Sequence, residues 1–559
     1  MRKHLCIVLL IMIVVACNTN SSYEPEGERT QAIEMEPPRT AAPPPPPPVI
    51  FEEYEGNYGI SASSNSPNVD GISLGYCALD TILSFENFEA YEAVLENEFV
   101  KTLEEPLSTF SIDVDGAAYS NVRRFLNDGQ LPPPNAVRIE EFVNYFNYNY
   151  KNPEGVQPFS IHTEVATCPW NPKSQLVHVG LQGQRLMDED LPDNNLVFLL
   201  DVSGSMMGAH KLPLIQSAFR LLVEELDHHD RIAIVVYAGA AGLILPSTPG
   251  HQKDKILSAI GSLEAGGSTA GGEGIQLAYE IAQKHFKRKG NNRIILATDG
   301  DFNVGVSDDD ALVELIEEKR KSGVFLSVLG FGSGNYKDVK MEKLADHGNG
   351  NYNYIDHLRE AKKVLISEMG GTLHTIAKDV KIQIEFNPTK VAEYRLIGYE
   401  NRMLLNKDFE DDTKDAGELG AGHSVTALYE VIPVENAEVS ASPEYRYQET
   451  SVREAAFVSS EIAHVKFRYK APNGTESRLI NQPILFKNQG FNQSSEDFQF
   501  AAAVVEFGLI LRTSNFKGKA NLEHVIRTAE KAKGKDLNGY RAEFIQLVKQ
   551  AQTLMTLNG

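Results

Sequence analysis

Residues 197–208 read VFLLDVSGSMMG. An apolar run breaks into an acid, two serines and two glycines. Asp201, Ser203 and Ser205 stand at alternate positions, so a strand that reads as buried ends by presenting one carboxylate and two hydroxyls. The flanking sequence keeps one rhythm from about 194 to 370. NLVFLLDVS precedes the amphipathic stretch KLPLIQSAFRLLVEELDHH; RIAIVVYAG, NRIILATDG, VFLSVLGFG and NYNYI follow, each separated from the next by helical patterns. Continuous apolar strands between amphipathic helices predict a doubly wound, mostly parallel sheet covered on both faces. YAGAAGLILP reads as a hairpin that adds one antiparallel edge strand.

On either side the strands change character. FSIHTEVATCPW and QLVHVGLQGQ, before 194, alternate polar and apolar residues, as do DVKIQIEFN, EYRLIGYEN, HSVTALYEVIP and AHVKFRYK after 375. These predict a β-sandwich built from both flanks, with the α/β segment (194–370) inserted between them. Helices are expected at both ends. ENFEAYEAVLENEFVKTL has apolar residues near helical spacing, and PPPNAVRIEEFVNYFNYNY is a proline-started helix with an aromatic face that reads as core. SSEDFQFAAAVVEFGLILR opens with a serine cap, and its apolar run is bounded by charges, so it reads as a buried helix and not a membrane span. The domains expected are 81–193, 194–370 and 371–559.

In a doubly wound sheet, ligands bind at the carboxyl ends of the strands. Three loops should meet there. The first carries Asp201, Ser203 and Ser205; the second, AGGSTAGGEG, carries Thr269; the third, LATDGD, carries Asp299. All five side chains offer oxygen, which suits a hard six-coordinate cation, Mg²⁺ or Mn²⁺. If the three hydroxyls touch the metal and the aspartates act through water, the cation is under-neutralised. It then has reason to take a carboxylate from another molecule. Asp301 beside the site either tunes its field or begins the loop.

DVSGS after a buried strand, a threonine loop further on and TDG after another strand resemble the metal-ion-dependent adhesion site of von Willebrand factor type A domains. The resemblance covers about 194–370. It implies a dinucleotide-binding-like fold, cation-dependent protein recognition, and Asp201, Ser203, Ser205, Thr269 and Asp299 as the metal set. PLSTFSIDVDGAAYSNVRRFL and AVRIEEFVNYF resemble the companion region that precedes this domain in a group of bacterial lipoproteins, and the stretch after 375 resembles their C-terminal domain.

The start, MRKHLCIVLLIMIVVACN, has a basic tip, a short apolar stretch and then Ala16-Cys17, the layout of a secretory signal over 1–16. Cys17 after Val14-Val15-Ala16 resembles a bacterial lipobox, which implies cleavage before Cys17 and its acylation. Asn18 differs from the aspartate that retains lipoproteins in the inner membrane, so an outer-membrane lipoprotein, periplasmic or surface-facing, is expected. From 17 to 80 no periodicity is sustained, and six consecutive prolines rise about 3.1 Å per residue as a semi-rigid tether. Cys6 leaves with the signal; Cys77 and Cys168 either pair, as an oxidising compartment allows, or stay as two thiols.

Net charge is −23, which argues against nucleic acid, where a basic footprint is expected. There is no H-E-x-x-H, no P-loop and no G-x-S-x-G, and neither Ser203 nor Ser205 has an obvious histidine partner, so no enzyme is expected. GFGSGN lacks the third glycine of a dinucleotide loop. Asp113 and Asp115 are either metal ligands or, more simply, one of them caps the helix near Ala117. The acidic loop KDFEDDTKDAGELGAG reads as solvated. The chain is thus expected to bind a protein with an exposed Asp or Glu from a lipid anchor in the envelope. The alternatives are an envelope scaffold with a regulatory metal domain, or a metal-dependent hydrolase, for which the motif supplies no spare general base.

Overall fold

The computed structural model describes residue 89 and residues 91–558, apart from 113–114, 188–191, 239–240, 267–270, 301–308, 334–335, 368–373, 438–450, 473 and 488. The signal, Cys17, the proline tether and Cys77 lie outside the described residues, as do Asp113, Thr269 and Asp301.

The α/β segment forms a six-stranded sheet. Its strands are β5 (Asn194–Asp201), β6 (Arg231–Tyr237), β7 (Ala241–Pro249), β8 (Asn291–Thr298), β9 (Phe325–Phe331) and β10 (Tyr352–Ile355), in the order β10-β9-β8-β5-β6-β7. All pairs are parallel except β6 with β7, the predicted hairpin edge. Helices α3 (Leu212–Glu225), α4 (Lys253–Gly261), α5 (Gly271–Lys284), α6 (Asp309–Arg320), α7 (Asp338–His347) and α8 (Leu358–Lys362) alternate with the strands. The sheet has a separate apolar cluster on each face, one around Phe198 and Phe219 and one around Tyr237 and Tyr279. Burial on both faces is why its strands read as unbroken apolar runs.

The sandwich draws on both flanks. One sheet runs β1 (Val100–Lys101), β12 (Val391–Ile397), β14 (Ser424–Pro433), β4 (Gln175–Gly183), β3 (Phe159–Thr167). The other runs β13 (Gly417–Gly420), β11 (Thr375–Phe386), β15 (Glu461–Lys470), β16 (Ser477–Leu485), with β2 (Leu107–Ser111) also paired to β11. The seam is β14 against β4, from Ser424 opposite Gln182 to Val431 opposite Gln175. The inner faces meet in one core that includes Phe110, Phe159, Phe386 and Tyr429.

Helices α1 (Ala117–Asn127) and α2 (Ile139–Asn144) pack with α9 (Glu496–Leu511), α10 (Leu522–Lys531) and α11 (Tyr540–Asn558). Ser495 caps α9 by accepting from the Phe498 backbone N–H, and nearly every α9 side chain is buried. Among the described residues no helix is long and apolar enough to cross a membrane. Tyr145, Phe146, Tyr148 and Tyr150 are core, as expected, but α2 ends at Asn144, so they follow the helix and do not line its face. Arg123 of α1, 1% exposed, joins three regions. It donates to Asp356 at 2.7 and 2.6 Å, to Glu360 at 2.8 Å, to Tyr145 at 2.8 Å and to Glu543 at 3.1 Å.

Two expectations are corrected. The helix expected in ENFEAYEAVLENEFVKTL is not found in its described part: residues 91–99 have no regular secondary structure and lead into β1. Distant partners hold this segment extended. The Asn97 amide donates to the Leu396 and Gly398 carbonyls at 3.2 and 2.9 Å, and Asn121 donates to the Tyr91 hydroxyl at 2.6 Å. Asp115 does not cap α1. Its carboxylate accepts from the Tyr352 backbone N–H at 2.8 Å and faces Arg402 at 3.3 Å. Glu141 of α2 serves the helix start instead, accepting from the Ala118 N–H at 2.7 Å. In the acidic loop, Asp412 pairs with Arg468 at 3.1 Å and Asp415 with Arg320 at 2.7 Å.

Candidate functional site

Strands β5 and β8 are parallel neighbours, with Leu200 opposite Ala297, so the residues that follow, Asp201 and Thr298–Asp299, emerge side by side at the carboxyl end of the sheet. The chain then turns sharply after β5: Ser203 precedes a short 3-10 turn (Gly204–Met207) whose Met206 is fully buried, pinning the loop to the sheet. The Ser203 and Ser205 hydroxyl oxygens lie 3.0 Å apart. Exposure rises along the loop. Asp201 is 0% exposed, Ser203 4%, and Ser205 faces solvent.

Asp201 is held by three donors. The Ser203 backbone N–H reaches Oδ1 at 2.9 Å, while the Thr298 hydroxyl at 3.1 Å and the Tyr237 hydroxyl at 3.2 Å reach Oδ2. Burial pushes the Asp201 carboxyl above its ordinary range, the Ser203 donors pull it back, and the nearby Asp299 charge pushes the same way as burial. Asp299 is 1% exposed and accepts from Lys211 Nζ at 2.8 Å. The Gly266 N–H donates to the Val202 carbonyl at 2.7 Å, so the described start of the second loop lies against the first. Thr269 itself is beyond what is described.

Four of the five predicted residues are therefore placed, and all four belong to two adjoining loops. The described donor set fits a hard cation. It is all oxygen, and neighbouring vertices of an octahedron with ligands at about 2.0–2.1 Å stand about 3 Å apart, the separation of the two serine hydroxyls. Among the described residues no group of three or more His, Cys, Asp or Glu could hold a metal, so any such site relies on hydroxyls. Lys211, Tyr237 and Thr298 were not foreseen. Thr298 stands in the quoted ATDG, but nothing local signals that Lys211, six residues after Ser205, folds back onto Asp299.

This fold, with an Asp-x-Ser-x-Ser loop at the carboxyl edge of a sheet with one antiparallel edge strand, defines a von Willebrand factor type A protein. Residues 195–365 match the family model "von Willebrand factor type A domain" and residues 85–178 the model "von Willebrand factor". Residues 371–554 match "Uncharacterized protein YfbK, C-terminal". The chain is 46% identical to YfbK of Escherichia coli strain K12 over 468 residues, covering 82% of this chain and 80% of that protein, and it belongs to the YfbK family. It is also 26% identical over 164 residues to human inter-alpha-trypsin inhibitor heavy chain H3, covering 28% of this chain and 18% of that protein. A solved von Willebrand factor type A protein from Catenulispora acidiphila is similar over 70% of this chain and 89% of its own, at 17% identity and a TM-score of 0.39. Domains of this class generally mediate protein–protein interaction and commonly bind a divalent metal.

Proposed function

We propose that this protein captures a protein partner through a divalent cation, Mg²⁺ or Mn²⁺, held by Ser203, Ser205 and Thr269 with Asp201 and Asp299 behind them. The observation that carries the reading is the pair of hydroxyls 3.0 Å apart at the rim, backed by a buried Asp201 whose orientation three donors fix. The cation would supply a Lewis-acidic contact for a carboxylate of the partner. The chain's own residues present hydroxyl oxygens and hold Asp201 in place. The N-terminal sequence supports attachment through acylated Cys17 to the outer membrane, facing either side.

Two experiments test this. Mn²⁺ titration of the full-length protein should show binding that Asp201→Ala abolishes, and cation-dependent cross-linking of a partner in intact cells should disappear with it. Unchanged binding in Asp201→Ala would overturn the site. Labelling with a radioactive fatty acid, lost in Cys17→Ser, tests the anchor.

The Arg123 cluster favours a second reading, an envelope scaffold whose metal domain is regulatory, because it ties the α/β domain to helices from both ends of the described chain. Cross-linking that persists in EDTA would favour it.

A further inference from the structure

Lys211 lies within the loop cluster without belonging to the oxygen set, and its path is built into the fold. It stands at the start of α3, where its N–H donates to the Gly208 carbonyl at 2.9 Å and its carbonyl accepts from Ile215 at 3.0 Å. From there the side chain runs to Asp299, 2.8 Å from the carboxylate oxygen, with only 13% of the side chain exposed. Its stem crosses the α-carbon of Gly332, in the turn after β9. A Cβ added there would come within 2.2 Å of Lys211 Cε, and the backbone at φ +81° disfavours any other residue. The route of the ammonium therefore depends on a third loop that has room for it.

An ammonium fixed on Asp299 changes the electrostatics of the whole site. Of the described charged groups here, Asp201 and Asp299 are the two anions, and Lys211 offsets one of them. Among the described groups, a divalent cation bound beside them meets one carboxylate already paired with an ammonium, within a partly water-excluded space where charges interact more strongly than in solvent. The loaded site then carries an excess positive charge that a carboxylate from outside can neutralise.

We propose that Lys211 is a resident counter-cation that lowers the site's intrinsic affinity for the metal and thereby couples metal retention to capture of a carboxylate. The proposal rests on the metal-site reading above. It adds that the two binding events reinforce each other, each raising the affinity for the other by the same factor. Lys211 is a positioning and charge-setting residue and is not a metal ligand.

The test is calorimetric titration of Mn²⁺ into the full-length protein, with and without acetate as a minimal carboxylate. Lys211→Met should bind Mn²⁺ at least about tenfold more tightly than the unaltered protein, the scale expected for removing a like charge near the metal. Lys211→Arg, which keeps the charge, should stay close to the unaltered protein. Acetate should tighten Mn²⁺ binding in the unaltered protein by a larger factor than in Lys211→Met. Where Lys211→Met is too unstable to titrate, Lys211→Gln should show a larger Mn²⁺-induced rise in melting temperature than the unaltered protein. Mn²⁺ binding that Ser203→Ala weakens but Lys211→Met leaves unchanged or weakens would overturn the role of Lys211 alone. An unaltered protein with no Mn²⁺ binding at all would overturn the metal site and this inference together.

Discussion

The six-stranded sheet and the sandwich are both buried β-structures, yet the chain assembles them in opposite ways. The first is contiguous: each strand but β6, which turns straight into β7, is followed by a helix, and every neighbour lies within residues 194–355. The second joins β4 to β14 and β2 to β11, pairs separated in sequence by the whole α/β domain. An insertion this large is tolerated because its two ends leave and re-enter the same sandwich. The comparison teaches that the α/β sheet is closed within one stretch of chain, whereas the sandwich is completed only by strands from both sides of it.

The largest expected effect breaks the link between the α/β domain and the helices from the two ends of the described chain. Replacing Arg123 with Ala leaves Asp356 and Glu360 buried without their cation, and should cost about 3–5 kcal/mol in a urea melt. If the melt is unmoved, the α/β domain and the terminal helices are not energetically joined through Arg123.

A second test separates them by pH. His178 on β4 is buried and His423 beside β14 is half-buried, and desolvation lowers each imidazole to about 4, against about 6.5 when unfolded. On acidification the unfolded chain takes up protons first. This contribution is intact above about pH 6.5 and is lost as pH falls towards 4. At pH 5 each histidine should cost about 2 kcal/mol. Trp170, whose indole donates to Glu430 of β14, reports on the seam by fluorescence. His178→Gln should remove part of the acid sensitivity of that signal.

The smallest effect is the sharpest discriminator. A Cβ on Gly180 of β4 would meet the Tyr150 ring at 2.6 Å, and that hydroxyl is held at 2.8 Å to both His178 and Thr426. Gly180→Ala should cost about 1–3 kcal/mol through overpacking, moving the Trp170 midpoint while leaving Mn²⁺ affinity in the other unit unchanged.

Legibility followed the same division. The strands around Val197–Leu200 and Ile294–Ala297 were readable because a sheet covered on both faces leaves few polar positions. Asp201, Ser203, Ser205 and Asp299 were readable because they interrupt those runs at the strand ends. The segment from Tyr91 to Phe99 was misread, because helical spacing of apolar residues says nothing about Asn97 finding carbonyls some three hundred residues away. Asp113 and Asp115 read alike as candidate caps, and only the fold shows that Tyr352 and Arg402, neither near in sequence, take the oxygens of Asp115.

By itself the sequence determined the alternation of strands and helices, the burial of α9 and the oxygen chemistry at the strand ends, since periodicity and residue type act over a few neighbours. Tertiary structure decided which strands share a sheet, what meets the start of α1, and that an ammonium from the start of α3 rests on Asp299. Those outcomes depend on side chains competing for partners across the folded molecule, and that competition has no local record in the chain.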